Sequence, residues 1–286
     1  MPGSAVEAMV GTQGYAEDIE QLRSELGLDQ PWYTQFMDWA LDLVRGDLGE
    51  SLYSGDSISS ELLRRLPTTA LLGALILLVG WAIGVPLGIF AAVQQGRVID
   101  EVSRTISVLF LAIPSFWLAT MFLVFASVWF DYAPPLRFAS FSADPVLHLK
   151  IMLWPAIIGG LPVSAAVVRV TRTLMLEVLR QDYMRTARAK GLASRVVLFR
   201  HGLQNAAPPL VTILGLQVAT VVTGAVILEQ IFAIQGMGRY TIEAAMRRDY
   251  PVVQAILLLS ATSLLVINLI VDILYGVLDP RIRVGA

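Results

Sequence analysis

The chain has 286 residues, 56% of them hydrophobic and only 15% charged, with mean hydropathy +0.66, net charge −2 and a pI of about 5.7. A soluble domain carries about 25% charged residues, so this composition cannot cover a water-facing surface, and the slight acidity gives no support to nucleic-acid binding. Cysteine is absent, which excludes disulfides, thiolate metal sites and cysteine nucleophiles.

The start, Met1-Pro2-Gly3-Ser4, lacks the basic and apolar regions of a signal peptide. Within segment 1–67, Glu17-Asp18-Ile19-Glu20 is acidic, and Pro31 to Val44 predicts a short amphipathic helix. Its Trp32, Tyr33, Phe36 and Trp39 suit either a membrane interface or a small core packed against the first loops. Five uncharged runs follow, at 66–96, 105–130, 151–168, 201–228 and 250–271. Four have 22 or more residues and span a hydrocarbon layer of roughly 30 Å as helices. The third has 18 residues and is extended if Arg169 and Arg172 snorkel to the headgroups. Backbone groups in lipid must pair within the chain, and the runs do not alternate as barrel strands do, so an all-α integral membrane protein is predicted.

Inside the first run, Gly80, Gly84 and Gly88 recur every four residues and favour close helix packing over the lining of a solute path. Pro86, Pro114, Pro155, Pro162, Pro208 and Pro209 are expected to interrupt their helices. Glu229 closes the fourth run as a candidate for the outer mouth of a path, while Asn268 and Asp272 sit one turn apart near the inner end of the fifth. Ionisable groups at such depth invite a functional reading, although for Asp272 a structural partner such as a loop arginine is favoured. His148 and His201 have no partner at metal-binding spacing, so no metal or cofactor site is expected. The chain lacks a phosphate-binding loop, a nucleophile elbow and H-E-x-x-H, which argues against an enzyme and places any ATP hydrolysis on another polypeptide.

Basic residues set the orientation. The connections 94–104 and 169–200 and the tail hold 12 Arg and Lys, against five in the opposite loops. The richer side is predicted to be cytoplasmic, which puts 1–67 outside, 68–280 in a transmembrane permease domain with a cytoplasmic loop at about 174–204, and 281–286 in a cytoplasmic tail. In the loop, residues 183–190 predict a short helix that Gly191 ends, because glycine enters the left-handed region freely; a second helical stretch runs from Ser194 to Asn205. Ala187 and Ala189 keep that helix slim and Arg185, Arg188 and Lys190 surround it with positive charge, a shape suited either to docking in a partner's groove or to an ordinary basic loop.

The same loop resembles the coupling signature of the permease subunits of bacterial ATP-binding cassette importers, in their dipeptide/oligopeptide branch. The likeness lies in Tyr183-Met184-Arg185-Thr186-Ala187-Arg188-Ala189-Lys190-Gly191-Leu192 and in Arg200-His201 through Asn205-Ala206. It continues in Gly27-Leu28-Asp29-Gln30-Pro31, Gly46-Asp47-Leu48-Gly49-Glu50-Ser51, Arg65-Leu66-Pro67-Thr68-Thr69, Gly236-Met237-Gly238-Arg239, Arg248-Asp249-Tyr250-Pro251-Val252-Val253-Gln254 and Leu278-Asp279-Pro280-Arg281-Ile282-Arg283. Against the broad importer signature, Arg185 and Thr186 replace the Glu-Ala pair and Gln204 stands where proline is common, a departure typical of the peptide branch.

The resemblance implies the transmembrane fold of a type I importer, usually with six spans, so that a helix preceding Pro2 is expected beside the five predicted here. It implies a second homologous permease subunit, two ATP-binding subunits that carry ATP and magnesium, a substrate-binding protein outside, and a bacterial inner (plasma) membrane with the C-terminus in the cytoplasm. Dipeptides or oligopeptides are the expected cargo; nickel complexes, glutathione and oligosaccharides are the alternatives within the family, and a stand-alone secondary transporter the alternative outside it. Residues 183 and 185–192 would then couple the spans to the ATPase.

Overall fold

The computed structural model describes residues 24, 29–135, 141 and 143–278, with 219–220, 222–224, 272 and 274–278 described by backbone alone. The helices are α1 (Trp32–Val44), α2 (Ile58–Val93), α3 (Val98–Ala112), α4 (Ser115–Phe130), α5 (Pro145–Leu179), α6 (Asp182–Ala189) and α7 (Ser194–Val196). A π-wound stretch, Val197–Leu203, leads into α8 (Gln204–Ile231), followed by α9 (Met237–Arg247) and α10 (Tyr250–Leu278). The acidic stretch 17–20, the motif at Gly27-Leu28 and the tail from Asp279 lie outside the described residues.

Three of the predicted runs correspond to helices long and apolar enough to cross a membrane: Ile58–Val93, Pro145–Leu179 and Tyr250–Val271. The second run is no straight rod, because α3 and α4 meet at 95°. Pro114 causes the break: a proline pushes its predecessor out of the helical region, and Ile113 sits at φ −88°, ψ 123° before Pro114 starts α4. The remaining prolines behave differently from expectation. Helix runs unbroken through Pro86, Pro155, Pro162, Pro208 and Pro209, as spans allow when neighbouring groups satisfy the freed carbonyls. The fourth run begins in the π-wound stretch and continues through α8, several of whose side chains are among those not described.

The chain divides into two compact units. The described part of the first comprises 24, 29–67 and 235–262, so residues 235–262, placed by the sequence within the permease domain, cluster with the N-terminal segment. Ile58, Leu62, Met237, Ala244, Val252, Ala255 and Ile256 form its core. The buried Asp249 carboxylate accepts the Ser51 hydroxyl at 2.5 Å and the Leu52 amide at 3.2 Å, pinning the loop before α2. The Arg65 guanidinium lies 4.4 Å from the Tyr240 ring centre while donating to Glu61; burial, then the Asp249 and Glu61 carboxylates, push the Tyr240 phenol above its ordinary pKa. Helix α1 buries none of its residues, and Trp32, Tyr33, Phe36 and Trp39 are exposed, so the small aromatic core is not formed among the described residues.

In the second unit, residues 68–234 and 263–278, α5 packs against α3 and α8 and comes very close to α2 at glycines. A methyl group on Gly84 would lie 2.6 Å from Val167 Cβ and 2.8 Å from the Ser164 carbonyl oxygen; one on Gly88 would lie 2.6 Å from Thr171 Cβ and 2.8 Å from the Val168 carbonyl oxygen. Gly160 on α5 answers, with Val79 Cβ at 2.8 Å from its missing methyl. Leu72, Ile76, Met152, Ala156, Leu228 and Phe232 fill the adjoining core, and Phe122 packs on Trp154 with ring centres 4.5 Å apart. On α4, Phe116, Trp117, Phe125, Trp129 and Phe130 face outward, an apolar surface that belongs in lipid or against another membrane subunit.

Gly84→Ala must separate α2 from α5 against backbone, and is expected to cost about 1–3 kcal/mol. Among the described residues Gly73→Ala meets only Val221 Cγ1 at 3.7 Å and should be near neutral. Thermal unfolding in detergent checks the contrast, and equal melting temperatures would contradict it.

Candidate functional site

The loop between α5 and α8 is a built surface. Helix α5 ends at Leu179, the chain turns at Arg180-Gln181, and α6 occupies Asp182–Ala189. Gly191 stands at φ +75°, and its amide donates to the Arg188 carbonyl at 3.0 Å, so the chain reverses where a side chain would be strained. Spacing decides which residues of α6 point inward. Met184 and Ala187 share a face and are buried with Val197, beside Leu179. Ala187 therefore anchors the helix and does not slim its outer surface, a correction to the sequence expectation; Ala189 is the alanine left outside.

The opposite face is open: Tyr183, Arg185, Thr186, Arg188, Ala189, Lys190, Gly191 and Leu192 are all exposed. The ion pair of Arg185 with Asp182 is long at 3.5 Å and solvent-screened. The Thr186 hydroxyl donates back to the Asp182 carbonyl. Beneath α6 runs the π-wound Val197–Leu203, where Gly202 is buried, a methyl on it lying 3.4 Å from Met175 Cε and 3.6 Å from Met184 Cε. The Asn205 amide donates to the His201 carbonyl at 2.6 Å. The π winding within Ser194–Asn205 had no signal in the sequence, although such turns recur at functional positions in helices.

Seven residues before α5 ends, Arg172 meets Asp100 of α3. Arg172 Nε donates to Oδ1 at 2.5 Å and Nη2 to Oδ2 at 2.8 Å, and the Gly96 amide donates to Oδ2 at 2.9 Å. Asp100 is 1% exposed and Arg172 19%. Arg172 thus forms a buried two-pronged pair where the sequence suggested snorkelling.

The other candidates separate from this surface. Gly80, Gly84 and Gly88 line the α2–α5 contact. Glu229 is fully buried and accepts the Thr69 hydroxyl at 2.6 Å. Asn268 is half-buried on α10, and the Asp272 side chain lies outside the described residues. His148 is buried edge-on to Phe141, and His201 is half-buried.

Residues 84–284 match the family model described as binding-protein-dependent transport system inner membrane component. The chain is 39% identical over 310 residues to the dipeptide transport system permease protein DppB of Escherichia coli (strain K12), covering 99% of this chain and 91% of that protein. It is 39% identical over 311 residues to the di/tripeptide transport system permease protein DppB of Pseudomonas aeruginosa (strain UCBPP-PA14), covering 99% and 90%. With the oligopeptide transport system permease protein AppB of Bacillus subtilis (strain 168) the identity is 37% over 285 residues, again covering 99% and 90%. Among solved structures, a chain of the inward-facing MetNI methionine ABC transporter superposes with TM-score 0.61 at 19% identity, covering 77% of this chain and 96% of that one, a likeness of fold.

Met184→Ala leaves a hole beneath α6 and is expected to cost about 2–5 kcal/mol locally, seen as faster amide hydrogen exchange over 182–189. Arg185→Ala should leave that exchange unchanged, and equal exchange in both variants would contradict the anchoring.

Proposed function

The chain belongs to the binding-protein-dependent transport system inner membrane components, and from that membership we propose that it is a permease subunit of an ATP-driven peptide importer. Its spans would form part of the translocation path in a bacterial inner membrane, and the chain itself would catalyse nothing. The relatives named for dipeptide, di/tripeptide and oligopeptide transport, matched over nearly the whole chain, support peptide as the cargo.

The observation that carries the proposal is the two-faced helix α6. One face is locked by Met184 and Ala187 to the π-wound turn and so to the spans; the other offers Tyr183, Arg185, Thr186, Arg188, Ala189, Lys190, Gly191 and Leu192 with nothing described over them. A short rigid helix anchored in this way transmits displacement, as coupling between distant sites requires. Two ATP-binding subunits, carrying ATP and magnesium, would dock on this cytoplasmic face, a second homologous permease would pair with the chain, and a substrate-binding protein would deliver peptide from outside. The C-terminus would lie in the cytoplasm.

Reconstitution with those partners should give dipeptide uptake that requires ATP; uptake driven by an ion gradient without ATPase subunits would contradict the proposal. Gly191→Pro tests the helix itself. Proline holds φ near −65° where the chain needs +75°, so correctly inserted variant should lose most uptake while the spans stay folded. Unchanged uptake would reject α6 as the coupling element.

A further inference from the structure

Helix α3 is fastened in an unusual way. Its buried residues are Asp100 and Ser107; Ser103 and Phe110 are half-buried and all its other residues are exposed. These four share one helix face at spacings of three and four. Three are polar or small, while Val98, Ile99, Val102, Ile106, Val108 and Leu109 point outward. The Ser107 hydroxyl is used within α3, donating to the Ser103 carbonyl. At its N-terminal end α3 therefore holds α5 through Asp100 and Arg172, within a close contact of the two helices that buries little apolar side chain of α3.

The clasp occupies a node. Thr171, next to Arg172, fills the space that Gly88 leaves on α2, and the Gly96 amide ties the turn between α2 and α3 to the same carboxylate. The stretch of α5 around 171–172 is thus held by α2 through shape and by α3 through charge. Seven residues separate Arg172 from the end of α5, about 10 Å of helix, and α6 follows after one turn. Apolar faces can slide past one another, but a two-pronged guanidinium–carboxylate pair fixes one register.

We propose that the Asp100–Arg172 clasp is a positioning device that makes α3 move with the cytoplasmic end of α5, so that displacement of α6 reaches the bent α3–α4 pair. This rests on the importer function proposed above. Removing the charge by Asp100→Asn would leave the carboxamide's shape but release α3, and transport would come apart from hydrolysis.

The test uses the reconstituted complex of permeases, ATPase subunits and binding protein. Asp100→Asn should lower dipeptide uptake per ATP hydrolysed by about tenfold, within the range of site-to-site coupling, while hydrolysis persists. Asp100→Arg combined with Arg172→Asp should recover part of the loss. A ratio equal to that of the parent complex, or a reversed pair no better than Asp100→Asn at equal assembly, would overturn the proposal. A second measurement does not depend on cargo. The sequence has no cysteine, so spin labels at Val102→Cys on α3 and Glu177→Cys on α5, both exposed, report their separation directly. That distance should stay narrow with and without bound ATP, and broaden in Asp100→Asn; identical distributions would overturn the clasp. Loss of ATP-dependent uptake by the parent complex would instead count against the importer function and leave the distance test standing.

Discussion

The membrane unit depends on how closely two backbones can approach. Gly80, Gly84 and Gly88 let α2 settle against α5 at a distance where a methyl added to Gly84 or Gly88 would meet a carbonyl oxygen at 2.8 Å. Packing of this kind replaces the hydrophobic effect, which lipid does not supply between helices. It turns α5, a 35-residue helix, into a rod gripped along its length, and a gripped rod can carry movement from a surface outside the lipid into the bundle. The clasp at Arg172 and the anchored α6 have their places because α5 is held.

The two units solve different problems. In the second, apolar side chains turn outward on α3, α4 and α10, and specificity comes from glycine contacts and one buried ion pair. In the first, polarity is arranged as in a soluble protein: Asp249 is buried but satisfied by Ser51 and Leu52, and Arg65 lies on Tyr240. The Arg248-Asp249-Tyr250 and Gly49-Glu50-Ser51 stretches, far apart in sequence, meet through that carboxylate.

Much of this was legible in the residues. Uncharged length gave the three long apolar helices, Gly191 gave the end of α6, and the four-residue glycine spacing gave the helix contact. What was missed shares a cause: it depends on partners distant in sequence. Arg172 read as a snorkelling end because no acidic residue lies three or four positions from it on the helix, and its partner is 72 positions away. Ala187 read as outer surface because the helix's neighbour, Val197, arrives only after the chain turns. Proline marked breaks indiscriminately; at Pro114 alone does the chain leave the helix, and whether a freed carbonyl is satisfied by a neighbour is a tertiary matter.

The account stands or falls on where α6 faces. A single cysteine introduced as Arg185→Cys, in a chain with none of its own, can be probed with a membrane-impermeant maleimide. Labelling in inside-out vesicles, blocked when the ATPase subunits are bound, and none in intact cells, is the predicted result. Labelling from outside intact cells would contradict it.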